Sequence, residues 1–417
     1  MLSPIQSFLE NYQLETSLQT DLFGLTPPQK KHFSTTNSNQ KILNFEKEFW
    51  TAKQRKSSSL HEISYRACFK AELPGFFIKM LTKENDVVYD PFAGRGTTMI
   101  EAALQKRKII SNDVNPLSQI FTEGRLEIPS VEDVLERLEK IKISKKFSAE
   151  IDLSMFFEKE TLNEILSLKN YLQKKHDLQT EDAVDKWIRA VATNRLTGHS
   201  TGFFSVYTLP PNQAISAKKQ AELNQKNNRQ PTYRDTKSII IKKTRSLIKD
   251  LSSEQKFNLK NTKNSAVFLN DSACSTSKIL NDSVNLIVTS PPFLDVIDYA
   301  ADNWLRCWFN GINFEEMQKK ISSHKKVADW NKFIGACFSE FYRIVKPQGY
   351  VAFEVGEVKN GKIKLEEEVL PIGINSGFNC IAIIINSQNF TKTSNIWGVE
   401  NNKKGTNSNR IVLFQKP

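Results

Sequence analysis

The sequence is poor in cysteine, and its few cysteines follow no structural pattern. Cys68, Cys274, Cys307, Cys337 and Cys380 are scattered along 417 residues, are odd in number and lack the spacing of a zinc site. We therefore expect neither a disulfide framework nor a bound metal. A reducing, cytoplasmic compartment is what this cysteine usage predicts.

Long apolar runs are also missing. No run reaches the length of a membrane span, and the first residues, MLSPIQSFLENYQ, lack the basic region and apolar stretch of a secretory signal. We therefore expect neither a membrane protein nor a secreted one. Histidine is also rare, and the five histidines form no catalytic arrangement. The sequence contains no internal repeat.

Positive charge, in contrast, is abundant. Lys and Arg number 58 against 46 Asp and Glu, which gives a net charge of +12 and an isoelectric point near 9.2. This balance favours a polyanionic partner. A length of 417 residues with 39% hydrophobic content supports a sizeable core, in two domains or in one enlarged α/β domain.

The nonapeptide DPFAGRGTT, residues 90–98, is the most informative segment. It follows the apolar run VVY and precedes the good helix former MIEAAL, so it is predicted to be a strand-to-helix turn. Its glycines permit the positive φ and the close backbone approach that a ligand-binding turn needs. Asp90 can accept a hydrogen bond from an ammonium group, while the helix that begins near Thr97 directs free N–H groups into the crevice.

A second apolar run, KIISND at residues 108–113, ends in another carboxylate. Asp113 lies 23 residues after Asp90, near the spacing of about 20 at which an acidic residue binds a ribose hydroxyl in βαβ units. An ordinary βαβ turn with surface aspartates is the alternative. Because strand, loop, helix and second carboxylate occur together in register, we predict a nucleoside-binding site.

The pentapeptide TSPPF, residues 289–293, follows the predicted buried strand VNLIV, at the end where open α/β sheets bind ligands. Its two prolines hold the chain extended, so a neighbouring carbonyl becomes a fixed acceptor. Ser290 adds a hydroxyl acceptor and Phe293 a flat apolar face. Two such acceptors can take both hydrogens of an exocyclic amine on a stacked nucleobase and direct its lone pair at a methyl donor. A plain loop or polyproline piece is the alternative.

Together these motifs resemble those of the S-adenosylmethionine-dependent DNA amino-methyltransferases, which methylate cytosine-N4 or adenine-N6. DPFAGRGTT is similar to the cofactor motif of that family, and TSPPF is similar to its catalytic motif, in which tyrosine is commoner than Phe293. Weaker similarities lie at residues 64–74, before the cofactor strand, and at residues 269–272. The similarity covers roughly residues 60–125 and 265–417.

The resemblance implies S-adenosyl-L-methionine as cofactor, double-stranded DNA as substrate, a cognate restriction endonuclease as a further partner, and a place in a prokaryotic cytosol or nucleoid. Serine at the position of Ser290 is associated mainly with cytosine-N4 methylation, whereas Asn or Asp is associated mainly with adenine-N6. The implied catalytic residues are Ser290, Pro291, Pro292 and Phe293. The implied cofactor-binding residues are Phe69, Asp90, Phe92, Gly94, Gly96, Thr97, Asp113 and Asp271.

The gap between Asp113 and Asp271 is longer than one βα unit requires, which predicts an inserted region. Apolar residues at helical spacing predict three helices in it, at residues 131–143, 160–172 and 181–192. Residues 218–249 are strongly basic and contain amides and an aromatic residue suited to base edges and phosphates, although a solvated loop is the alternative. The residues expected to bind DNA are Lys218, Lys219, Arg229, Arg234, Lys242, Lys243 and Arg245.

The predicted fold is therefore α/β, with a doubly wound Rossmann-like methyltransferase sheet and an inserted, partly helical target-recognition region. We expect an N-terminal arm at residues 1–60, a catalytic domain at residues 61–125 and 261–417, and the inserted region at residues 126–260. An RNA base methyltransferase is the alternative function, but residues 1–60 look too short for an RNA-binding module.

Overall fold

A large twisted sheet lies between two layers of helices. The computed structural model describes residues 2–12, 30–35, 41–50, 57–66, 68–208, 214–292, 301–321, 324–358, 363–387 and 408–417. Nine strands form the main sheet in the order β1-β2-β10-β11-β7-β6-β3-β4-β5, and β8 and β9 form a separate pair. The strands are β1 Lys30–Thr35, β2 Lys41–Lys47, β3 Val87–Asp90, β4 Lys108–Asn112, β5 Val267–Leu269, β6 Val284–Thr289, β7 Val345–Val355, β8 Glu357–Val358, β9 Ile363–Lys364, β10 Asn379–Ser387 and β11 Ser408–Gln415.

Helices connect these strands and also fill the long interval between β4 and β5. Those outside the interval are α1 Pro4–Asn11, α2 Glu72–Leu81, α3 Thr97–Leu104, α11 Trp304–Phe309, α12 Phe314–Lys320, α13 Val327–Ile344 and α14 Leu365–Asn375. Those inside it are α4 Leu117–Glu123, α5 Val131–Lys140, α6 Lys159–Asp177, α7 Ala183–Arg195, α8 Ala217–Lys226, α9 Thr236–Ile248 and α10 Ser253–Lys263.

The five strands β7, β6, β3, β4 and β5 are parallel, and β11 runs antiparallel beside β7. From β3 the chain moves outward through β4 to β5, then returns to place β6 on the other side of β3. The strand order therefore reverses between β3 and β6, and open α/β sheets bind ligands at the carboxyl ends of strands at such a reversal. This confirms the predicted doubly wound α/β fold.

Alternating residues of the strands face two different hydrophobic cores. Val88 and Leu286 belong to the core that includes Met99 of α3, whereas Tyr89 and Ile287 belong to the core that includes Phe338 of α13. Because successive side chains of a strand point to opposite faces, both faces of a central strand must be apolar when helices cover both. The run VVY and the run VNLIV, which is apolar except for Asn285, meet this requirement.

The inserted helices begin with side-chain caps and are confirmed where the sequence predicted them. Ser130, Glu158 and Asp182 accept hydrogen bonds from the first-turn amides of α5, α6 and α7. The basic stretch, for which a solvated loop was the alternative, forms helices α8 and α9, capped by Ser216 and Asp235.

The described residues of the insertion share the hydrophobic core of the sheet layer. Trp187 on α7 and Ile240 on α9 are fully buried in the same hydrophobic cluster as α2 and α3, and Trp187 Nε1 donates to Thr244 Oγ1 on α9 at 3.0 Å. The predicted division at residues 126–260 therefore stays a prediction.

The described part of residues 1–60 contributes to the fold rather than lying apart from it. Helix α1 is capped by Ser3, β2 pairs with β10 in parallel, and β1 pairs with β2 in the antiparallel sense. Within the described residues, no helix is long and apolar enough to cross a membrane.

Candidate active site

A cleft opens where the carboxyl ends of β3, β4 and β6 meet, at the reversal of strand order. Its wall is formed by the loop after β3, the turn after β4, the segment before α2, and the residues that follow β5 and β6. The lining includes Tyr65, Cys68, Phe69, Asp90, Phe92, Gly94, Thr97, Asp113, Asn115, Ser272, Ala273, Ser290, Pro292, Lys320 and Phe333. The structure thus brings most of the predicted cofactor and catalytic residues into one site.

Two glycines allow the loop after β3 to turn tightly against the sheet. Gly94 has φ +53 and Gly96 has φ +77, a region of backbone conformation that favours glycine. A Cβ atom on Gly96 would lie 2.1 Å from Thr122 Oγ1, which leaves no room for a side chain. Gly96 is also the N-cap of α3 and provides no side-chain cap, so the first amides of that helix are directed toward the cleft without one.

Asp90 connects the loop after β3 to the end of β6. Its Oδ1 accepts hydrogen bonds from Thr289 Oγ1 at 2.6 Å and from the Phe92 amide at 3.1 Å. Burial raises the pKa of Asp90 to about 6, although its hydrogen bond from Thr289 opposes the shift. Because Thr289 directly precedes Ser290, Asp90 fixes the position of one motif relative to the other.

Asp113 lies across the cleft at the end of β4 and shapes the same loop. Its two oxygens accept hydrogen bonds from the amides of Gly94 at 2.8 Å and Asn115 at 2.9 Å. Burial raises its pKa to about 6 as well. Nearby, the Nδ2 atom of Asn115 is buried in the cleft wall and has no hydrogen-bond partner among the residues that the structure describes.

Asp271 is placed differently from the other predicted cofactor residues. Its backbone N–H and carbonyl pair with the side chain of Asn112, each at 3.0 Å. The cleft is lined instead by the next two residues, Ser272 and Ala273. Gly96 also lies outside the lining and acts through the backbone.

Two arginines connect the loop after β3 to neighbouring segments by donating hydrogen bonds to backbone carbonyls. Arg95 donates to the carbonyls of Ile63 at 2.8 Å and Phe69 at 3.3 Å. The fully buried Arg125 donates to the carbonyls of Leu60 and Phe121 and to that of Arg95, and burial lowers its pKa to about 9. These contacts join the loop to the segment that carries Phe69.

Ser290 and Pro292, which follow β6, line the cleft, whereas the predicted residue between them, Pro291, lies outside the lining. The Oγ atom of Ser290 is buried and forms no hydrogen bond of normal geometry with the described residues. The Pro292 carbonyl accepts a hydrogen bond from Trp330 Nε1 at 3.1 Å, while no described residue donates to the Pro291 carbonyl. Phe293, the predicted stacking residue, lies outside the described residues.

Two residues of this site carried no signal in the sequence. Trp330, on α13, is almost fully buried and fixes the Pro292 carbonyl. Glu354, near the end of β7, is 5% exposed and lies beside Ser290. Burial raises the pKa of the Glu354 carboxyl, and interactions with Ser290 and Asn409 oppose the shift. Only the pairing of β7 with β6 brings Glu354 to Ser290.

The predicted DNA-binding residues divide into two groups. Lys243 is half-buried and pairs with Glu62 at 3.3 Å, and burial lowers its pKa to about 8. Arg234 is half-buried, and its backbone is bonded to Thr161. The exposed members are Lys218 and Lys219 on α8, Arg229 after it, and Lys242 and Arg245 on α9.

Both basic helices are joined to segments that lead into the cleft. The Ile215 carbonyl, just before α8, accepts a hydrogen bond from Trp304 Nε1 at 3.1 Å, and Trp304 is the first residue of α11, the next described α-helix along the chain after Ser290 and Pro292. The Leu247 carbonyl on α9 accepts from Ser59 Oγ at 2.9 Å, at the start of the segment that leads to Tyr65.

Comparison with known protein families gives two matches. Residues 11–119 match a family described as DNA methylase. Residues 70–272 match a family described as D12 class N6 adenine-specific DNA methyltransferase. The resemblance to the S-adenosylmethionine-dependent DNA amino-methyltransferases is therefore confirmed.

Individual relatives cover parts of the chain. The type II methyltransferase M.PvuII of Proteus hauseri is 33% identical over 106 residues, which are 25% of this chain and 28% of that protein. The type II methyltransferase M.BsoBI of Geobacillus stearothermophilus is 22% identical over 306 residues, 69% of this chain and 57% of that protein. The chain thus matches less than two thirds of each relative's length. A SAM-dependent methyltransferase of Methanosarcina mazei aligns over 82% of this chain and 96% of its own, with 11% identity and a TM-score of 0.31.

Proposed function

We propose that this protein is a DNA methyltransferase that transfers a methyl group from S-adenosyl-L-methionine to the exocyclic amine of a flipped base. One observation supports this above all others. The hydrogen bond between Asp90 and Thr289 joins the cofactor loop to the catalytic loop at the strand reversal, so that both line a single cleft.

The cleft suits the proposed cofactor in its polar and apolar groups. The carboxyl groups of Asp90 and Asp113 are acceptors for ribose hydroxyls and an ammonium group. Asn115 Nδ2, which has no partner among the described residues, is a donor for a base nitrogen. Phe92 and Phe333, with ring centroids 6.0 Å apart, offer apolar faces to a flat ring. When bound, S-adenosyl-L-methionine would supply an activated methyl group.

The residues after β6 would orient the target amine. In the proposed mechanism the Ser290 hydroxyl and the Pro291 carbonyl each accept one amine hydrogen. Exocyclic amines are poor nucleophiles because their lone pair is delocalised into the ring, and two fixed acceptors oppose that delocalisation. Trp330 supports this geometry, since its hydrogen bond holds the Pro292 carbonyl in place. The rate advantage comes mainly from positioning.

Glu354 extends the proposed site behind Ser290. A carboxylate there can accept the hydroxyl hydrogen of Ser290, which leaves the oxygen lone pairs of Ser290 free for the amine. It can also stabilise positive charge that develops on the amine during transfer. Burial raises the pKa of Glu354, so both roles require a pH at which the carboxyl group is ionised. A buried carboxyl group with a shifted pKa beside a cleft is typical of functional sites.

DNA would lie over the mouth of the cleft, between the basic helices. The exposed cations of α8 and α9 can contact phosphates, which provide affinity without sequence information. The target base must leave the duplex at a cost of a few kcal/mol. Stacking on Phe293 would offset about 1–3 kcal/mol of that cost.

For the product we propose N4-methylcytosine, on the basis of Ser290. Adenine-N6 methylation is the second candidate, and the match of residues 70–272 to an adenine-specific family supports it. A cognate restriction endonuclease is a further proposal, supported by the type II methyltransferases among the relatives.

The test is transfer of labelled methyl groups to purified nucleic acids. We expect label in double-stranded DNA and none in RNA, and loss of transfer in Ser290→Ala. Ser283→Ala, a half-buried serine before β6 whose hydroxyl donates to the Leu280 carbonyl, serves as the matched control and should retain activity. Label in RNA alone would favour an RNA base methyltransferase, and equal activity in Ser290→Ala would remove that hydroxyl from the mechanism.

A further inference from the structure

Two cysteine thiols lie close to each other beside the cleft. Cys274 lies in the loop after β5 and Cys337 lies on α13, and their sulfur atoms are 3.5 Å apart. Cys337 is fully buried, whereas Cys274 is half-buried. All five cysteines are free thiols. Because a disulfide has a sulfur–sulfur distance of about 2.05 Å, the two atoms need to approach by roughly 1.5 Å to form one.

We propose that Cys274 and Cys337 form an oxidation site, where a peroxide-class oxidant converts the pair to a disulfide that reshapes the cofactor cleft. The effect on the cofactor rests on the proposed function, whereas formation of the disulfide does not. No catalytic step of that function uses either thiol.

Both cysteines are directly connected to the cleft wall. Ser272 and Ala273, which line the cleft, immediately precede Cys274. Phe333, which also lines it, lies one helical turn before Cys337 on the same face of α13. The Phe333 carbonyl is 3.8 Å from the Cys274 sulfur. A bond between the two sulfurs would therefore act on both walls.

The loop that carries Cys274 is fixed to neighbouring elements at its two ends, while between them Ser272 accepts hydrogen bonds from the amides of Cys274 and Ser275. At one end the backbone of Asp271 pairs with Asn112. At the other, the amide and hydroxyl of Thr276 both donate to Glu340 Oε1, at 2.7 and 2.5 Å. Because Cys337 belongs to a packed helix, we expect the approach of the sulfurs to displace residues 272–274, which include the cleft wall.

The two thiols differ in the way that stepwise oxidation requires. The hydrogen bond with Cys337 lowers the pKa of Cys274 to about 7, so a substantial thiolate fraction is present near neutral pH. Burial instead raises the pKa of Cys337. Cys274 is therefore the thiol that meets the oxidant, and Cys337 is the resolving thiol.

The reaction balances with hydrogen peroxide as the oxidant. The Cys274 thiolate attacks one peroxide oxygen, an S–O bond forms as the O–O bond breaks, and the departing hydroxide takes up a proton to leave a sulfenic acid and water. The Cys337 sulfur then attacks the Cys274 sulfur. An S–S bond forms, the S–O bond breaks, and the leaving hydroxide combines with the Cys337 thiol proton as a second water.

The experiment treats the full-length protein with hydrogen peroxide and maps disulfides by mass spectrometry of non-reduced peptides. S-adenosyl-L-methionine affinity is then measured by calorimetry, before and after addition of a reductant. We expect a peptide that links Cys274 to Cys337, and an affinity about threefold to tenfold weaker in the oxidised protein, the equivalent of about one neutral hydrogen bond. Reduction should restore the affinity.

Single variants make the result specific. Cys274→Ser should lose both the linked peptide and the oxidation-dependent change in affinity. Cys380→Ser removes a cysteine on β10, and its ratio of oxidised to reduced affinity should equal that of the parent. Cys68→Ser excludes oxidation of the thiol that lines the cleft, because the same ratio should persist in this variant.

Three results would each contradict one claim: the cysteine pair, its effect on the cleft, or the proposed function. Oxidation of Cys274 to sulfinic acid without a linked peptide would overturn the proposed pair. A linked peptide with unchanged affinity would overturn its effect on the cleft. If the reduced protein fails to bind S-adenosyl-L-methionine, the proposed function fails, while the peptide map still decides whether the two thiols form a disulfide.

Discussion

At the residue scale, two carboxyl groups with raised pKa values make the cleft sensitive to pH. Burial brings the pKa values of Asp90 and Asp113 to about 6, and the Asp113 charge contributes to the shift of Asp90. Both groups accept backbone N–H bonds that hold the cofactor loop. Ligand hydroxyl and ammonium groups are donors and bind the ionised carboxylate in preference to the neutral acid.

Cofactor affinity should therefore increase as the pH rises toward 6 and level off above it. Below that pH a proton must leave before the ligand binds, which weakens binding by up to about tenfold per pH unit for each group. Asp113→Asn should weaken binding by about 1.5–3 kcal/mol at neutral pH and reduce the pH slope. Calorimetry across this range measures both effects. Glu139→Gln, an exposed site on α5, is the control, and a pH slope that Asp113→Asn leaves unchanged would exclude Asp113 from binding.

A second residue-scale prediction concerns Trp330. Trp330→Phe removes the N–H that holds the Pro292 carbonyl and should lower kcat by about twofold to tenfold, because loss of one neutral hydrogen bond costs roughly 0.5–1.5 kcal/mol. The matched control is Trp187→Phe, which removes an equally buried indole N–H bond to Thr244. That variant should lose stability with kcat retained. Equal loss of kcat in the two variants would mean that Trp330 acts through general stability alone.

At the scale of elements, the charge of the segment that forms α8 and α9 predicts a solvated loop, whereas its helical periodicity predicts a packed helix. Residues 218–249 look like a solvated basic stretch, yet Ile240, Ile241 and Leu247 are buried at helical spacing on α9. The cations occupy the remaining positions, so a charge count alone hides the apolar face. Lys243 is included in the basic stretch by sequence, but its ion pair with Glu62 gives it a structural role that only the packed fold reveals.

Neutralising the exposed positions should therefore separate DNA binding from stability. Lys242→Gln combined with Arg245→Gln should weaken DNA binding for all sequences and reduce the slope of log affinity against log salt by roughly 0.9 for each lost phosphate contact. The control is Lys83→Gln combined with Lys108→Gln, which removes the same charge near the amino ends of β3 and β4, whereas the cleft lies at the carboxyl ends of these strands. Fluorescence anisotropy at several salt concentrations measures the slopes. Identical slopes in the two double variants would exclude α9 from the DNA surface.

At the scale of the whole molecule, sequence motifs predicted the central strands of the sheet, but not the strands β1 and β2 at its edge. The strand, turn and helix around Asp90 and the strand before Ser290 are local features with strong apolar patterns, and the structure confirms them. Strand β2 joins the sheet by pairing with β10, which lies more than 300 residues later in the chain, and β1 joins it by pairing with β2. Glu354 and Trp330 reach the site by tertiary packing. Such long-range contacts leave no periodic signal in the sequence.

The inserted helices also show what the sequence could not provide. Their periodicity predicted three helices, but not that Trp187 and Ile240 would join the core of the sheet layer. A shared core means that the helices proposed to contact DNA and the helices beside the cleft pack in one continuous interior. Since packed interiors transmit strain, the position of α9 is coupled mechanically to the segment that begins at Ser59.

The most direct test of the central claim is nucleoside mass spectrometry of DNA from cells that express the protein, with Ser290→Ala combined with Phe293→Ala as the inactive control. We predict N4-methylcytosine in the parent sample and none in the control. N6-methyladenine without N4-methylcytosine would keep the amine chemistry and correct the base. DNA without either product, from cells in which the folded protein is present, would contradict the proposed function.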